Sequence, residues 1–456
     1  MSAKISRRTF LMGCSAAIAA MAGARISNLA FAAGGGSPEA LLVIFLRGGW
    51  DGLNVVPPIA VGSPDRGAYE AARPTLKVPV SAAGAALNLN GQFGLHPLLA
   101  PLHNLYQAQR LALIHAAGLV FDTRSHFDAM QYIELGTPGQ KTTASGWMTR
   151  YLESLALDPA TPLPALSAGS SRAAALLGYG DAVAMSSPTS FNLGGSFTYN
   201  GQQTSALRQM YGSNTDWLDR AGSETISTID LIQSRGIGAY TPSNGAAYPS
   251  GSFGDNLKLI AQMLKANVGL CSATVDFGGW DTHENQGDVT ATSYMSARLN
   301  ELARGLAAFY TDLDGCGAAN YNQRTTVVVM SEFGRRLKEN ASRGTDHGHG
   351  NVMLVLGGAV KGGQVYGPWP GLGTDQLYQR ADLAVTTDYR RVLGEILKRR
   401  LGRTDLHLTG PTGIFPNYSQ EAPLDFMFDN TPVALDPGLT HRVYLPLVRR
   451  GTAQCP

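Results

Sequence analysis

The chain has 456 residues, 36 Lys+Arg against 34 Asp+Glu, a net charge of +2 and only 15% charged residues. So weak a charge supplies no field for a polyanion, which argues against nucleic acid as a partner. With 44% apolar residues a large core can be buried, and 54 Gly and 24 Pro indicate many loops in a globular protein.

In chain order, the first feature is Arg7-Arg8 before a weakly apolar stretch from Phe10 to Ala24, ending in Ala30-Phe31-Ala32. The pattern predicts a twin-arginine export signal over residues 1–32, cleaved after Ala32. The stretch is shorter than the ~20 apolar residues of a membrane span, so no stable span is expected after cleavage. The expected location is periplasmic, extracytoplasmic or secreted, and Cys14 is an ordinary signal residue. Of the remaining cysteines, Cys271 opens an apolar run and reads as a buried thiol. Cys316 and Cys455 are candidates for a disulfide in an oxidising compartment. No C-x-x-C spacing suggests a cysteine metal site.

From residue 40 short apolar runs alternate with Gly-rich loops and amphipathic segments. Strands are expected at Leu41–Leu46, Leu111–His115, Val268–Phe277, Thr325–Met330 and Asn351–Leu356. Helical spacing occurs at Pro97–Gln109, Phe127–Leu135, Trp147–Ala156, Asn256–Ala266, Tyr294–Leu313 and Tyr389–Leu401. The alternation predicts an α/β fold: a doubly wound, mostly parallel sheet with helices on both faces, over residues 40–402. Loop-rich insertions are expected near 62–93 and 169–254, the second with short helical pieces such as Ser205–Tyr211. Residues 403–456 read as a C-terminal tail.

In such sheets ligands bind beyond the carboxyl ends of the strands. Leu41–Leu46 leads into Arg47-Gly48-Gly49-Trp50-Asp51, where the turn would bring Asp51 over the sheet; a loop N-cap is the competing role. Val268–Phe277 leads to Asp281 and His283, two apart and able to point the same way from extended chain. Thr325–Met330 is followed by Ser331-Glu332-Phe333-Gly334-Arg335 and then Gly344-Thr345-Asp346-His347-Gly348-His349-Gly350. Three candidate ligands within four residues, flanked by glycines, are the strongest metal signal in the chain. Arg124-Ser125-His126-Phe127-Asp128 follows another strand and opens a helix. Ser125 there is either a hydroxyl in the field of the helix N-terminus or a plain N-cap with Asp128 completing a capping box. Arg47, Arg124 and Arg335 flank these candidates and suit planar phosphate or sulfate oxygens, or else are surface charges. No G-x-S-x-G, G-x-x-x-x-G-K-[ST], H-E-x-x-H or strand-following G-x-G-x-x-G occurs, which leaves an Asp/His metal site on a parallel sheet.

Taken in order, Phe45-Leu46-Arg47-Gly48-Gly49-Trp50-Asp51-Gly52-Leu53-Asn54, Arg124 to Asp128, Asp281 to Gln286, Ser331 to Arg335 and Gly344 to Gly350 resemble the exported bacterial family called domain of unknown function 1501. That family is similar to the alkaline phosphatase and sulfatase superfamily. The resemblance implies one or two divalent metal ions and a phosphate- or sulfate-ester substrate, small or polymeric. Asp51 would be the first-strand ligand, Asp346 and His347 ligands of the same metal, Asp281 and His283 ligands of a second, and His349 the remaining imidazole, with His407 and His441 as competitors. Ser125 would be the nucleophile, with Thr123 as the local competitor. Asp281 and His283 are two apart where the superfamily usually spaces this pair by four.

The chemistry expected of such a site is a hydroxyl activated by one cation and a leaving oxygen stabilised by the other, with Arg335 or Arg124 balancing charge on the transferring group. Mixed oxygen and imidazole ligands favour Zn or Mn, with Ca and Mg also compatible. The expected function is an exported metal-dependent hydrolase or transferase; an exported binding or scaffold protein that keeps the fold is the alternative. Asp51, Asp281, His283, Asp346, His347 and His349 are expected to converge at one sheet edge.

Overall fold

The computed structural model describes residues 39–429, apart from 82, 156, 158–160, 194–198, 214–216 and 402–405. The expected signal (1–32), Cys14, His441, Cys455 and the last part of the tail lie outside the described residues.

Eleven strands are described: β1 Ala40–Leu46, β2 Leu87–Asn88, β3 Gly94–Leu95, β4 Leu111–Gly118, β5 Ala165–Ala168, β6 Ala182–Met185, β7 Ser272–Phe277, β8 Thr325–Ser331, β9 Asn351–Gly357, β10 Gln364–Tyr366 and β11 Thr387–Asp388. The main sheet has the order β10-β4-β9-β8-β1-β7-β5-β6, with β11 on β4. β2 and β3 form a separate antiparallel pair.

The fold is α/β, as the strand and helix alternation predicts. β1 is buried along its whole length, and its side chains divide by parity as a strand requires. Leu42, Ile44 and Leu46 enter one core, with Phe253, Leu257 and Ile260 from the helix Ser252–Lys265 and Leu299, Leu302 and Leu306 from Tyr294–Leu313. Leu41, Val43 and Phe45 enter the other, with residues of the helices His126–Leu135, Trp147–Ser154 and Tyr389–Glu395. A strand covered on both faces has no use for polar residues, which is why β1 reads as an unbroken apolar run.

Within the main sheet only β9 runs against its neighbours, being antiparallel to both β8 and β4. This reversal positions the site. β1, β4, β7 and β8 all end at one edge of the sheet, and β9 begins there. The Gly344–Gly350 segment just before β9 therefore reaches the same edge as Asp51, Asp281 and Glu332.

The stretch 169–254 contributes β6 to the sheet edge, paired in parallel with β5, and the helices Asn200–Tyr211 and Trp217–Ser234. Residues 62–93 include the helix Pro64–Ala72, which starts at Ser63 as N-cap with Pro at N1 and ends by delivering Arg73 to the sheet edge. The helix at 389 becomes π-helical over Ile396–Arg400. Among the described residues no helix is long and apolar enough to cross a membrane.

Candidate metal centre

Glycines let the strand-end loops pack backbone on backbone. At Gly48 (φ +124°) a Cβ would lie 2.5 Å from the Asp281 nitrogen, and at Gly344 it would lie 2.2 Å from the His283 carbonyl oxygen. Any side chain at either position would push the loops apart. The segment 334–336 joins them through an isolated bridge between Arg335 and His347, with Gly348 N–H donating to the Gly334 oxygen at 2.8 Å.

At their meeting point stand His126, Asp281 and His347. Among the described residues these three form the group of metal-ligand side chains whose ligand atoms all lie within 4.8 Å of one another. They come from the first turn of the helix after β4, the loop after β7 and the segment before β9. Asp281 Oδ1 lies 3.2 Å from His347 Nε2 and 3.4 Å from His126 Nε2. The His126 and His347 rings are 4.3 Å apart, edge to face, and both lie against Phe333.

The far nitrogen of each ring settles its orientation. His126 Nδ1 lies 2.6 Å from Glu332 Oε1, on a fully buried carboxylate that also accepts from Gly48 N–H at 2.7 Å and the Ser331 hydroxyl at 2.9 Å. A carboxylate only accepts, so Nδ1 carries a proton. His347 Nδ1 lies 2.8 Å from the Arg124 carbonyl oxygen and is likewise a donor. In neutral rings, both Nε2 atoms then direct lone pairs at Asp281. Three electron-rich atoms converge, and His126 Nε2 is buried with no hydrogen-bond partner. Protons or a cation must stand between them, and the donor set of two imidazoles and a carboxylate, each His held by a second hydrogen bond, fits a divalent cation.

Ionisation follows from these neighbours. Burial opposes the charge on Asp281, but the Arg335 hydrogen bond and charge, with His126 and His283, hold its carboxyl down at about 2. Burial lowers the His347 value, and the nearby His126 and Arg335 charges add to this against the Arg124 carbonyl. His126 is also penalised by burial, yet the Glu332 contact outweighs it and its value is raised.

The remaining candidates are placed as follows. His283 Nδ1 lies 2.8 Å from Asp281 Oδ1, so His283 shares the carboxylate from the outer side without joining the group of three. Asp346 accepts from Asn340 Nδ2 at 3.0 Å, and His349 is buried in a stack on Tyr378; neither belongs to the group. His407 is exposed. Asp51 reaches the sheet edge but is ion-paired there: its Oδ2 accepts from Arg73 Nη1 at 2.5 Å and Gln286 Nε2 at 2.7 Å. A guanidinium thus stands against the carboxylate that was expected to hold a metal.

Arg335 lies at the junction of these loops. Its side chain is fully buried and donates to the carbonyls of Gly48, Gly49, Thr345 and Trp280 and to Asp281 Oδ1. Most of its donors are engaged by the loops, and through Nη2 it positions Asp281. Arg124 donates to the buried Asp382 at 2.7 Å and to Gln379 at 2.9 Å, and it enters the centre through its carbonyl. Arg47 is bound by Glu134 and Asp276. Ser125 is the helix N-cap, accepting from Asp128 N–H at 3.3 Å. Cys271 is a buried free thiol, pushed up to about 12 by desolvation.

His126, Glu332 and Arg73 are not among the residues expected from the sequence. The first two carried the signal applied elsewhere, a ligand-type residue directly after a strand or at the helix that follows it. Arg73 carried none.

Residues 38–410 match the model of the family described as "Protein of unknown function (DUF1501)", and the chain belongs to that family. No curated protein matches the sequence. Three solved structures show distant likeness. Ps i-CgsB in complex with k-i-k-neocarrahexaose is 12% identical, at TM-score 0.33, over 72% of this chain and 68% of its own. A protein of the alkaline phosphatase superfamily from Vibrio parahaemolyticus is 10% identical, at TM-score 0.32, over 78% and 69%. A Mg-bound mutant of TAB5 alkaline phosphatase is 10% identical, at TM-score 0.25, over 70% and 91%.

Proposed function

We propose that this member of the family is an exported, divalent-cation-dependent hydrolase or transferase of phosphate or sulfate esters. The observation that carries the reading is the convergence of His126 Nε2, His347 Nε2 and Asp281 Oδ1 at the carboxyl edge of the sheet. A cation held there would supply Lewis acidity toward an ester oxygen and favour ionisation of a nearby hydroxyl. Zn or Mn suits the donor set better than Ca or Mg.

Around that centre the chain's own residues have separable tasks. Glu332 and the Arg124 carbonyl fix the tautomers and aim the two imidazoles. Arg335 holds Asp281 ionised and ties the loops together. His283, oriented through Nδ1 by Asp281 and only half-buried, is placed to exchange a proton with substrate at Nε2. Ser125 adjoins His126 at the helix start and is the proposed nucleophile. The twin-arginine pattern at Arg7-Arg8 and the A-x-A site ending at Ala32 support export.

One observation favours a second reading, an exported scaffold with a structural cation: the Ser125 oxygen is already used as the helix cap. The two separate on the purified mature chain, loaded with Zn or Mn and offered phosphomonoesters, phosphodiesters and sulfate esters. Turnover that disappears on chelation and returns on reloading supports the enzyme. Full cation loading without turnover of any ester supports the scaffold.

A further inference from the structure

We propose that an arginine of the chain itself fills the cation place expected at the end of β1, so that each chain holds one divalent cation, at His126, Asp281 and His347. The inference rests on the metal reading of that centre.

Asp51 and Arg73 are both without side-chain exposure. Arg73 Nη1 donates to Asp51 Oδ2 and to Asn54 Oδ1 at 2.7 Å, Nε to the Leu337 carbonyl at 2.8 Å and Nη2 to the Arg336 carbonyl at 2.8 Å. Four hydrogen bonds hold the buried guanidinium beside Asp51, and arginine does not lose its proton in a protein. A divalent cation at Asp51 would meet this fixed positive charge where no water screens it.

Gln286 points to the same conclusion. Its Oε1 accepts from the Thr282 and Thr345 hydroxyls, both at 2.8 Å, so its amide turns N–H toward Asp51 and cannot offer oxygen to a cation. The second oxygen of Asp51 is buried with no hydrogen-bond partner, but no two further ligand-type side chains gather with it among the described residues. The two places are therefore opposite in kind: one gathers lone pairs, the other gathers N–H groups around a carboxylate. Thr282 and Thr345 stand next in sequence to Asp281 and Asp346. The Asp51–Arg73–Gln286 network thus acts as a mount for the cation loops.

Equilibrium dialysis of the mature full chain against Zn, with bound metal counted by mass spectrometry, tests this without any substrate. Because Asp51→Asn leaves Arg73 unpaired and can unfold the chain, the double variant Asp51→Asn/Arg73→Gln is measured beside it. One Zn per native chain, retained in whichever Asp51 variant folds and lost in His126→Ala/Asp281→Ala, is the expected result. Two per native chain overturns the inference while leaving the centre intact. None in the native chain overturns the metal reading, and the inference with it.

Discussion

His126 and Glu332 are joined end to end, Nδ1 to Oε1 at 2.6 Å, and that contact turns the other ring nitrogen toward Asp281 and His347. Partners of this kind set the tautomer and basicity of a metal-binding histidine, and their loss usually weakens metal binding by about 10–100-fold. Glu332→Gln should therefore weaken Zn affinity within that range while Asp281 and His347 remain. Titration calorimetry reads this directly, and an unchanged affinity would mean that the Glu332 charge does not tune His126 as a ligand.

Arg335 predicts a loss of stability. Its guanidinium ties four carbonyls and Asp281 across three loops. Arg335→Met keeps the stem but leaves buried acceptors unpaired, and should cost on the order of 3 kcal/mol or more in denaturant unfolding. A cost below about 1 kcal/mol would mean that the loops are held by their glycine contacts alone.

Strand positions and cation geometry were unequally legible in the sequence. β1 is an unbroken apolar run and β8 carries one over Val327–Met330 because both faces of the sheet are covered, and the helix Tyr294–Leu313 shows its full span in its spacing. β5 and β6 are four-residue, Ala-containing edge-side strands with too few bulky residues to stand out. The direction of β9 leaves no local trace, since direction is set by pairing with β8 and β4. Asp281 and His347 were recognisable as ligand types at strand ends. Asp51 looked the same, and what distinguishes it is Arg73, brought from the end of a helix in a Pro/Ala/Gly-rich stretch by contacts that no local pattern encodes.

His96 and His115 predict an acid-side weakening. Burial lowers both to about 4 from an ordinary value of 6.5, so the folded chain resists protons that the unfolded chain takes up. Their contribution is present above about pH 6.5 and is lost as the pH falls toward 4, at about 1.4 kcal/mol per pH unit for each. Asp281, depressed to about 2, acts in a lower window, below its ordinary 3.8. Chemical unfolding from pH 7 to 4 should show the decline, and His115→Gln should flatten part of it. A stability independent of pH over that range would contradict the assignment.

Ser125 separates catalysis from capping. As a cap alone, Ser125→Ala should cost about 1 kcal/mol of stability and leave turnover unchanged. As the nucleophile it should also remove about 4 kcal/mol of transition-state stabilisation, or roughly three orders of magnitude in rate, with Zn content intact. The second result is expected with any ester the protein turns over.

Anomalous diffraction from crystals of the Zn-loaded protein locates the cation outright. A single strong peak per chain is expected about 2.0–2.2 Å from His126 Nε2, His347 Nε2 and an Asp281 oxygen, with Asp51 still closed by Arg73. A peak at Asp51, or a loaded crystal with no peak between His126 and His347, would contradict that placement.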